Sequence, residues 1–376
     1  MANVYSYASH YFDAEAYALS GKLNLPFEEQ IKKQSFVKLQ GDSNKLLLEG
    51  ELRKLKKVPE NYLSQHATNY RLENIISYSA ADTQVSGHRS KMNPNALVTF
   101  STSSVENLNV LNVVTADRVV AQISTTHFPG QCSPEVTFLG THFENLRIAH
   151  HKTVPILNLA VAGKSPQGRD AYYPTAATRE TGLMASVERQ YRKLRDDLKE
   201  VREKLQGEYL QRLEDNDSWF SRQYRGFSDF NYEDLQCSAK YAAEAAERDA
   251  KWEGVTCSLV EHVEIEDITI AKDSKPIVIH PPAYCFGHVI HVPDFGTIFL
   301  SELKVNHNSF HLTMIRLELG CIADGTISIA TCYVNGQGAG VGTEAVSELT
   351  LGRLMKPGSR RHPSLIRPRS RRYPSL

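Results

Sequence analysis

A chain of 376 residues of which 41% are hydrophobic can bury a large core, which excludes wholesale disorder. Equal numbers of basic and acidic side chains, 43 each, leave no overall field for a polyanion or an acidic surface, and no apolar run approaches the roughly 18–20 residues that span a bilayer. The six cysteines (Cys132, Cys237, Cys257, Cys285, Cys321 and Cys332) include no C-x-x-C pair and are too sparse for a disulfide-built scaffold, so they read as reduced thiols.

The first residues, MANVYSYASHYFDAEAYALSGKL, carry no early Lys or Arg and no unbroken apolar core, unlike a secretory signal, and a cytoplasmic location is expected. Up to residue 95 the pattern is mixed. QIKKQSFVKLQ and NKLLLEGELRKL set short apolar clusters between charges without clean helix or strand periodicity. NYLSQHATNYRLENIISYSAADTQVSG is more strand-like, and GHRSKMNPN is turn-forming.

From Ala96 to Ala162 the pattern is β: LVTFSTS, NVLNVV, RVVAQIST, EVTFLG and TVPILNLAVA are short runs rich in Val, Ile, Thr and Phe, separated by turn formers. Within it, ENLNVLNVVTADRVVAQIST assigns Val110, Val113, Val114, Val119, Val120 and Ile123 to the core. Thr115-Ala116-Asp117-Arg118 fits a tight connection or a bulge between two strands, with Arg118 paired to Asp117, paired to Glu106, or solvated.

A different composition follows. Met184, Val187, Tyr191, Leu194, Leu198, Val201 and Leu205 are spaced 3, 4, 3, 4, 3, 4, a heptad seam. The favourable i,i+4 pairs Glu188–Arg192 and Glu200–Lys204 lie between them. Those 22 residues predict a helix of about 33 Å. A second helical stretch, YEDLQCSAKYAAEAAERDAKWEG, is Ala-rich and stops at Gly254. The two form either a helical hairpin packed on itself or a dimerising coiled coil.

The β pattern returns from Val255 to Asn335 in HVEIEDITIA, KPIVIH, FGTIFLSELKV, FHLTMIRLELG and GTISIATCYV. In VEHVEIEDITI the carboxylates suit a solvated strand face, with Val263, Ile265, Ile268 and Ile270 turned inward around a one-residue shift. Histidines gather here. His288, His291, His307 and His311 are the candidate metal ligands, with His280 beside them. His288 and His291 are an odd number apart and would face opposite ways on a strand; His307 and His311 would share a face, but Asn306 and Asn308 suggest a turn. No carboxylate or Cys has the spacing to complete a shell, so no metal or other cofactor is implied and the bland assignment, loop-end histidines, is preferred.

GQGAGVG (336–342) matches neither a dinucleotide fingerprint nor a phosphate loop and reads as a connector. G-x-S-x-G, H-E-x-x-H, zinc-finger spacing and an EF-hand loop are missing. Eight of the 43 basic residues and none of the acidic ones fall between Arg353 and Leu376, so the preceding 352 residues carry 35 basic against 43 acidic side chains. This tail repeats SRRHPSL as SRRYPSL and reads as disordered. It could neutralise phosphates in a salt-dependent way, but its one aromatic, Tyr373, leaves no stacking platform.

ENLNVLNVVTADRVVAQIST with VTFLGTHFENLRIA, and HVIHVPDFGTIFLSEL with HLTMIRLEL and GTISIATCYVNG, together resemble a group of uncharacterised bacterial β-sandwich proteins. They also loosely resemble surface domains of the choice-of-anchor P type. There, a T-A-D-like turn precedes a strand carrying N-L-x-[IV], and a V-P-x-x-G-x-[IV]-x-L segment closes the fold. The resemblance covers residues 70–160 and 255–335 and implies a fold, with no catalytic residues to carry over. The pattern is departed from in the absence of a signal peptide and in the long helical segment.

The expected architecture is α+β: a mainly antiparallel β-sandwich interrupted by a helical hairpin or coiled-coil insertion. Its parts are a first β half with a mixed N-terminal segment (1–170), the helical insertion (171–254), a second β half (255–350) and a disordered basic tail (351–376). Two separate β domains joined by a helical spacer are the alternative. The expected function is a non-enzymatic structural or interaction protein that forms a homo-oligomer, or binds a protein partner, through residues 184–205. The alternatives are a hydrolase or metal enzyme with a site near His288–His311, and a weak nucleic-acid binder acting through the tail.

Overall fold

Alternating Val, Ile, Thr and Phe suit pleated, half-buried strands, and among the residues it describes the computed structural model forms twenty of them and one helix. It describes residues 11–42, 61–93, 96–128, 133–164, 182–204, 255–272, 275–306, 309–320 and 323–335. The chain opens with β1 (Tyr11–Leu25), β2 (Glu29–Gln34) and β3 (Val37–Asp42). A meander of long strands follows: β4 (Asn61–Leu72), β5 (Ile76–Arg89), β6 (Leu97–Val110) and β7 (Val114–His127). Four shorter strands come next: β8 (Glu135–Thr137), β9 (His142–Glu144), β10 (Arg147–Ile148) and β11 (His151–Leu157). Helix α1 (Leu183–Lys204) precedes β12 (Val255–Ser258) and β13 (Val260–Ile265). Then come β14 (Ile268–Lys272), β15 (Lys275–Ile279), β16 (Tyr284–Phe286) and β17 (Val289–Val292). The last three strands are β18 (Gly296–Asn306), β19 (Ser309–Gly320) and β20 (Asp324–Asn335).

Two nine-stranded sheets result, and every pairing is antiparallel. Sheet A runs β16-β17-β18-β19-β20-β1-β2, with β12 beside β18 and β3 beside β1. The first strand of the chain thus pairs with the last, from Asp13↔Asn335 to Leu25↔Asp324. Sheet B runs β13-β11-β10-β7-β6-β5-β4, with β8 and β9 beside β7. All described residues belong to one unit, Met1–Ala339.

Strands β1, β19 and β20 lie against β6 and β7. Leu19, Leu312, Ile329 and Cys332 of sheet A and Val105, Val119, Ala121 and Ile123 of sheet B are fully or almost fully buried in this core. Small hydroxyl residues at the contact pair with the opposite main chain. Ser101 Oγ donates to Glu15 O at 2.8 Å and Ser103 Oγ to Tyr17 O at 2.9 Å, which offsets the cost of burying them. Between β12 and β13 the chain passes from one sheet to the other at Leu259. Its N–H donates to Ser301 O at 3.0 Å and its carbonyl accepts from Asn158 N at 2.6 Å.

The inward/outward alternation slips by one residue in mid-strand, and it does so in one row across each sheet. In sheet B the buried positions are Ile76, Tyr78, then Ala81, Thr83, Val85 on β5; Ser101, Ser103, Val105, then Leu108, Val110 on β6; and Val114, Ala116, then Val119, Ala121, Ile123 on β7. The slip row passes through Asn69, Ser79, Asn107, Asp117 and Asn145. Its three asparagines have left-handed backbone, with φ of 55°, 51° and 48°, a conformation Asn tolerates better than most residues. They stand at 69, 107 and 145, each 38 residues after the last, at the head of N-Y-R-L, N-L-N-V and N-L-R-I. In sheet A the corresponding left-handed residues are Ser35, Ser301 and Ala330.

Several expectations change. Thr115-Ala116-Asp117-Arg118 is no connection between strands: it lies inside β7 on the slip row, and the turn comes before it, at Leu111 and Asn112. The described residues before 95, where the sequence lacks a clean period, supply five strands. Ile270 does not turn inward: it is 48% exposed, because β14 leaves sheet B after β13 and pairs only with β15. The described residues form mainly antiparallel β structure, the helical insertion contributes one described helix, and a coiled-coil insertion is not shown. The second helical stretch, the Gly-rich 336–342 segment and the basic tail lie outside the described residues.

Helix α1 packs on the side of sheet A formed by β12 and β16. Leu183, Val187 and Leu194 are buried there. The Gln190 amide donates to Ser258 O at 2.6 Å and accepts from Ser258 N at 2.8 Å, and Asp197 accepts from Gly287 N at 2.9 Å. The 4, 3, 4, 3 spacing of Leu183, Val187, Gln190, Leu194 and Asp197 therefore addresses the chain's own sheet.

Candidate functional site

The outer face of sheet B is lined with polar side chains and is covered by no other described sheet. The antiparallel register lines them up in rows across the strands. One row is Ser64 (β4), Gln84 (β5), Thr102 (β6) and Gln122 (β7); the next is His66, Asp82, Ser104, Val120 and His142 (β9). Together with Tyr62 and Arg118 they line a recess of about 580 Å3. A second recess of about 560 Å3 lies along the slip row, lined by Asn69, Asn107, Asn109, Asn112, Arg71 and Ser79 among others.

Side chains here are tied to their neighbours. His66 Nδ1 lies 2.6 Å from Asp82 Oδ1, and His142 Nε2 lies 3.0 Å from Glu144 Oε1. Arg118 Nε donates to Ser104 Oγ at 3.1 Å and stands 3.9 Å from Glu106, while Asp117 instead accepts from Asn145 Nδ2 at 3.1 Å. Arg71 donates to Asn74 Oδ1 at 2.6 Å, and Asn107 Nδ2 to Ser79 Oγ at 2.8 Å. What the recesses offer a ligand is largely amides and hydroxyls, donors and acceptors at once. Tyr62, 53% exposed, adds an aromatic face at the rim.

The predicted histidines are elsewhere, on sheet A. His288 is in the β16–β17 turn, His291 on β17 and His311 on β19. His307 lies outside the described residues. His288 and His311 both sense the charge of Glu302, a 6%-exposed carboxylate on β18. His291 is apart from them, with Nδ1 3.1 Å from Thr297 Oγ1. Burial lowers all three histidines to about 4. Among the described residues no group of three or more His, Cys, Asp or Glu side chains could hold a metal ion.

The dominant partner in that region is Arg316 (β19). Its Nε lies 2.5 Å from Glu302 Oε2, its Nη2 2.9 Å from Glu302 Oε1, and its Nη1 donates to Glu318. Its guanidinium carbon also stands 3.6 Å over the Phe299 ring. Burial disfavours the charged form of Glu302, but the Arg316 hydrogen bonds and charge outweigh it and hold the carboxyl below its usual range. Arg316 bridges both carboxylates and ties β18 to β19.

Of the oligomer seam, Val187 and Leu194 are 1% and 3% exposed within the single chain. Met184, Tyr191, Leu198 and Val201 lie on α1, and Leu205 lies outside the described residues. The polar rows of sheet B escape sequence reading, because Ser, Thr, Gln and His are common on any solvated strand and the slip hides which of them share a face. The 38-residue recurrence of N-[LY]-x-[LIV] is the one pattern that could have aligned them.

No helix among the described residues is long and apolar enough to cross a membrane. No curated protein and no solved structure matches the chain. A family model does match residues 58–306, from just before β4 to the last residue of β18, so that it takes in all of sheet B. That is about two thirds of the chain, which therefore belongs to the family described as Domain of unknown function (DUF8256).

Proposed function

We propose that the protein is a non-enzymatic interaction protein whose two sheets act as one β-sandwich, and that the outer face of sheet B binds an uncharged, hydroxyl-rich ligand such as an oligosaccharide. The observation that carries this is the pair of recesses on sheet B, rich in amides and hydroxyls. Amides such as Gln84 and Gln122 can each donate to one hydroxyl and accept from another, and Tyr62 offers the apolar face of a sugar a place to stack. The burial of Val187 and Leu194 against the chain's own strands speaks for α1 as a cover for sheet A and against a seam open to a second helix.

The test is a screen of neutral and anionic oligosaccharides against the full chain, followed by titration calorimetry of any that bind. A neutral oligosaccharide should bind, and Asp82→Ala with Gln122→Ala should weaken it at least about tenfold, the loss of two charge- or amide-based hydrogen bonds. No binder in the screen, or a binder indifferent to both substitutions, would refute the assignment.

A further inference from the structure

Three hairpins of sheet B, β4–β5, β6–β7 and β10–β11, are built alike. Asn69 and Asn107 stand on β4 and β6, and Asn145 stands just before β10, beside β7. Each is followed four residues later by a left-handed residue at the turn, Glu73, Leu111 and Ala149, with φ of 49°, 52° and 48°. Neighbouring hairpins are joined by the same bond at the same step. Leu111 N donates to Ile75 O at 2.8 Å, and, 38 residues further on at both ends, Ala149 N donates to Val113 O at 2.7 Å. Sequence, backbone and docking contact thus share one period, the mark of a repeated unit.

Along the sheet this unit advances two strands at a time. Neighbouring strands lie about 4.8 Å apart, so the three asparagines recur about every 9.6 Å and span about 19 Å. All three are exposed, and the residue after each, Tyr70, Leu108 or Leu146, turns toward the core, which places the asparagines on the outer face. The recess over the first two repeats is lined by five asparagines and two serines against one side chain of each charge, Arg71 and Glu73, so a hydroxyl finds both donors and acceptors there. Asn107 gives one amide proton to Ser79 Oγ at 2.8 Å and Asn145 one to Asp117 Oδ2 at 3.1 Å. A primary amide has two protons and an acceptor oxygen, so both keep capacity for a ligand.

We propose, on the reading that this face takes a neutral hydroxyl-rich ligand, that the ligand is an extended β-1,4-linked glycan whose chain crosses the strands along the slip row, one disaccharide to each hairpin. A row that repeats is matched by a ligand that repeats, because each added unit engages the next hairpin without a second cost of association. In an extended β-1,4-linked chain successive rings alternate in orientation. Its true repeat is therefore two sugars, over a length close to the two-strand step. An α-1,4-linked chain curls away from the row after the first hairpin.

The experiment is titration calorimetry of the full chain with β-1,4-linked oligomers of glucose, mannose, xylose and N-acetylglucosamine, one to six sugars long, against α-1,4-linked glucose oligomers of the same lengths. In at least one β-linked series, affinity should rise at least about tenfold from disaccharide to tetrasaccharide and level off at about five sugars, where the row ends. The α-linked series should gain nothing beyond the disaccharide. Asn69→Gly with Asn107→Gly and Asn145→Gly removes the three amides while glycine keeps the left-handed backbone. That variant should melt as the wild type does and bind the tetrasaccharide at least about tenfold more weakly, with a smaller effect on the disaccharide. β-linked tetrasaccharides that bind no tighter than their disaccharides overturn the proposal on the wild type alone. So does an α-linked series bound equally well, or binding indifferent to the glycine substitutions. Those outcomes leave the ligand face itself standing. A panel in which no neutral oligosaccharide binds refutes that face and this proposal together.

Discussion

Replacing Arg316 by Met keeps the stem's volume and removes the cation that bridges Glu302 and Glu318. The side chains of Arg316, Glu302 and Glu318 are 21%, 7% and 16% exposed, so the carboxylates left behind are largely shielded from water. Removing one partner of a fully buried pair costs about 3–5 kcal/mol, and the partial exposure of Arg316 and Glu318 reduces that. The lost contact with Phe299 adds about 1 kcal/mol. A net loss of about 3 kcal/mol is expected in urea unfolding at pH 7, as a fall in midpoint with unchanged slope. The pH dependence separates this from a packing defect. In the wild type the Glu302 carboxyl is held low, so its contribution is present above the unfolded carboxylate range and is lost as pH falls through the folded value. In the variant, burial without the cation raises that carboxyl, and protonation at lower pH relieves the penalty. The difference between the two proteins should therefore shrink from pH 7 to pH 4. A loss under about 1 kcal/mol at pH 7, or one that grows toward pH 4, would refute the assignment of Arg316 as the clasp of this face.

Further outcomes follow from the same contacts. His288, His291 and His311 fold with pKa values lowered to about 4 from 6.5, so their stabilisation is complete above pH 6.5 and is lost as pH falls toward 4, by about 1–2 kcal/mol each after allowing for partial exposure; urea midpoints between pH 7 and pH 5 should drop in the wild type and flatten in a triple His→Gln variant, and parallel curves would sink the idea. Leu194→Ala should cost about 2–4 kcal/mol in chemical unfolding because its pocket against Gly287 is within the chain, whereas a near-neutral effect would place the helix off the sheet. Asn107→Gly should be nearly neutral and Asn107→Val should cost about 1–3 kcal/mol, since a β-branched residue resists a φ of 51°; equal melting temperatures would contradict the slip row. Gly325→Ala should destabilise far more, because its Cβ would lie 2.2 Å from Lys22 O at a φ of 152°, and a folded variant with wild-type melting would show that β1 and β20 are not so close.

The β class was legible because Val, Ile, Thr and Phe cluster in runs of strand length, and each described run contributes to a strand. Where strands stop and start was not. Val114 and Val119 both face the core, yet five residues separate them, an odd count that strict alternation forbids within one strand. Thr115-Ala116-Asp117-Arg118 therefore looked like a break, when the slip opposite Asn107 lets one strand carry both. The same slip scattered His66, Asp82, Ser104 and His142 in any linear count, although the register sets them in a row.

The heptad of residues 184–205 showed a helix with one apolar stripe, and α1 is that helix. A stripe states that something must cover it and not what does: a second helix and the edge of a β-sheet satisfy Val187 and Leu194 equally well. Likewise Ile268, Ile270, Ile277 and Ile279 are apolar and alternate, which suits a core, and only the departure of β14 from sheet B leaves them outside. The sequence by itself determined local conformation, through side-chain branching, alternation and the Asn residues that accept a left-handed backbone. Tertiary structure decided which strands pair, above all β1 with β20 across the length of the chain, and hence which faces are buried. Pairing depends on contacts between residues hundreds of positions apart, and no local pattern encodes them.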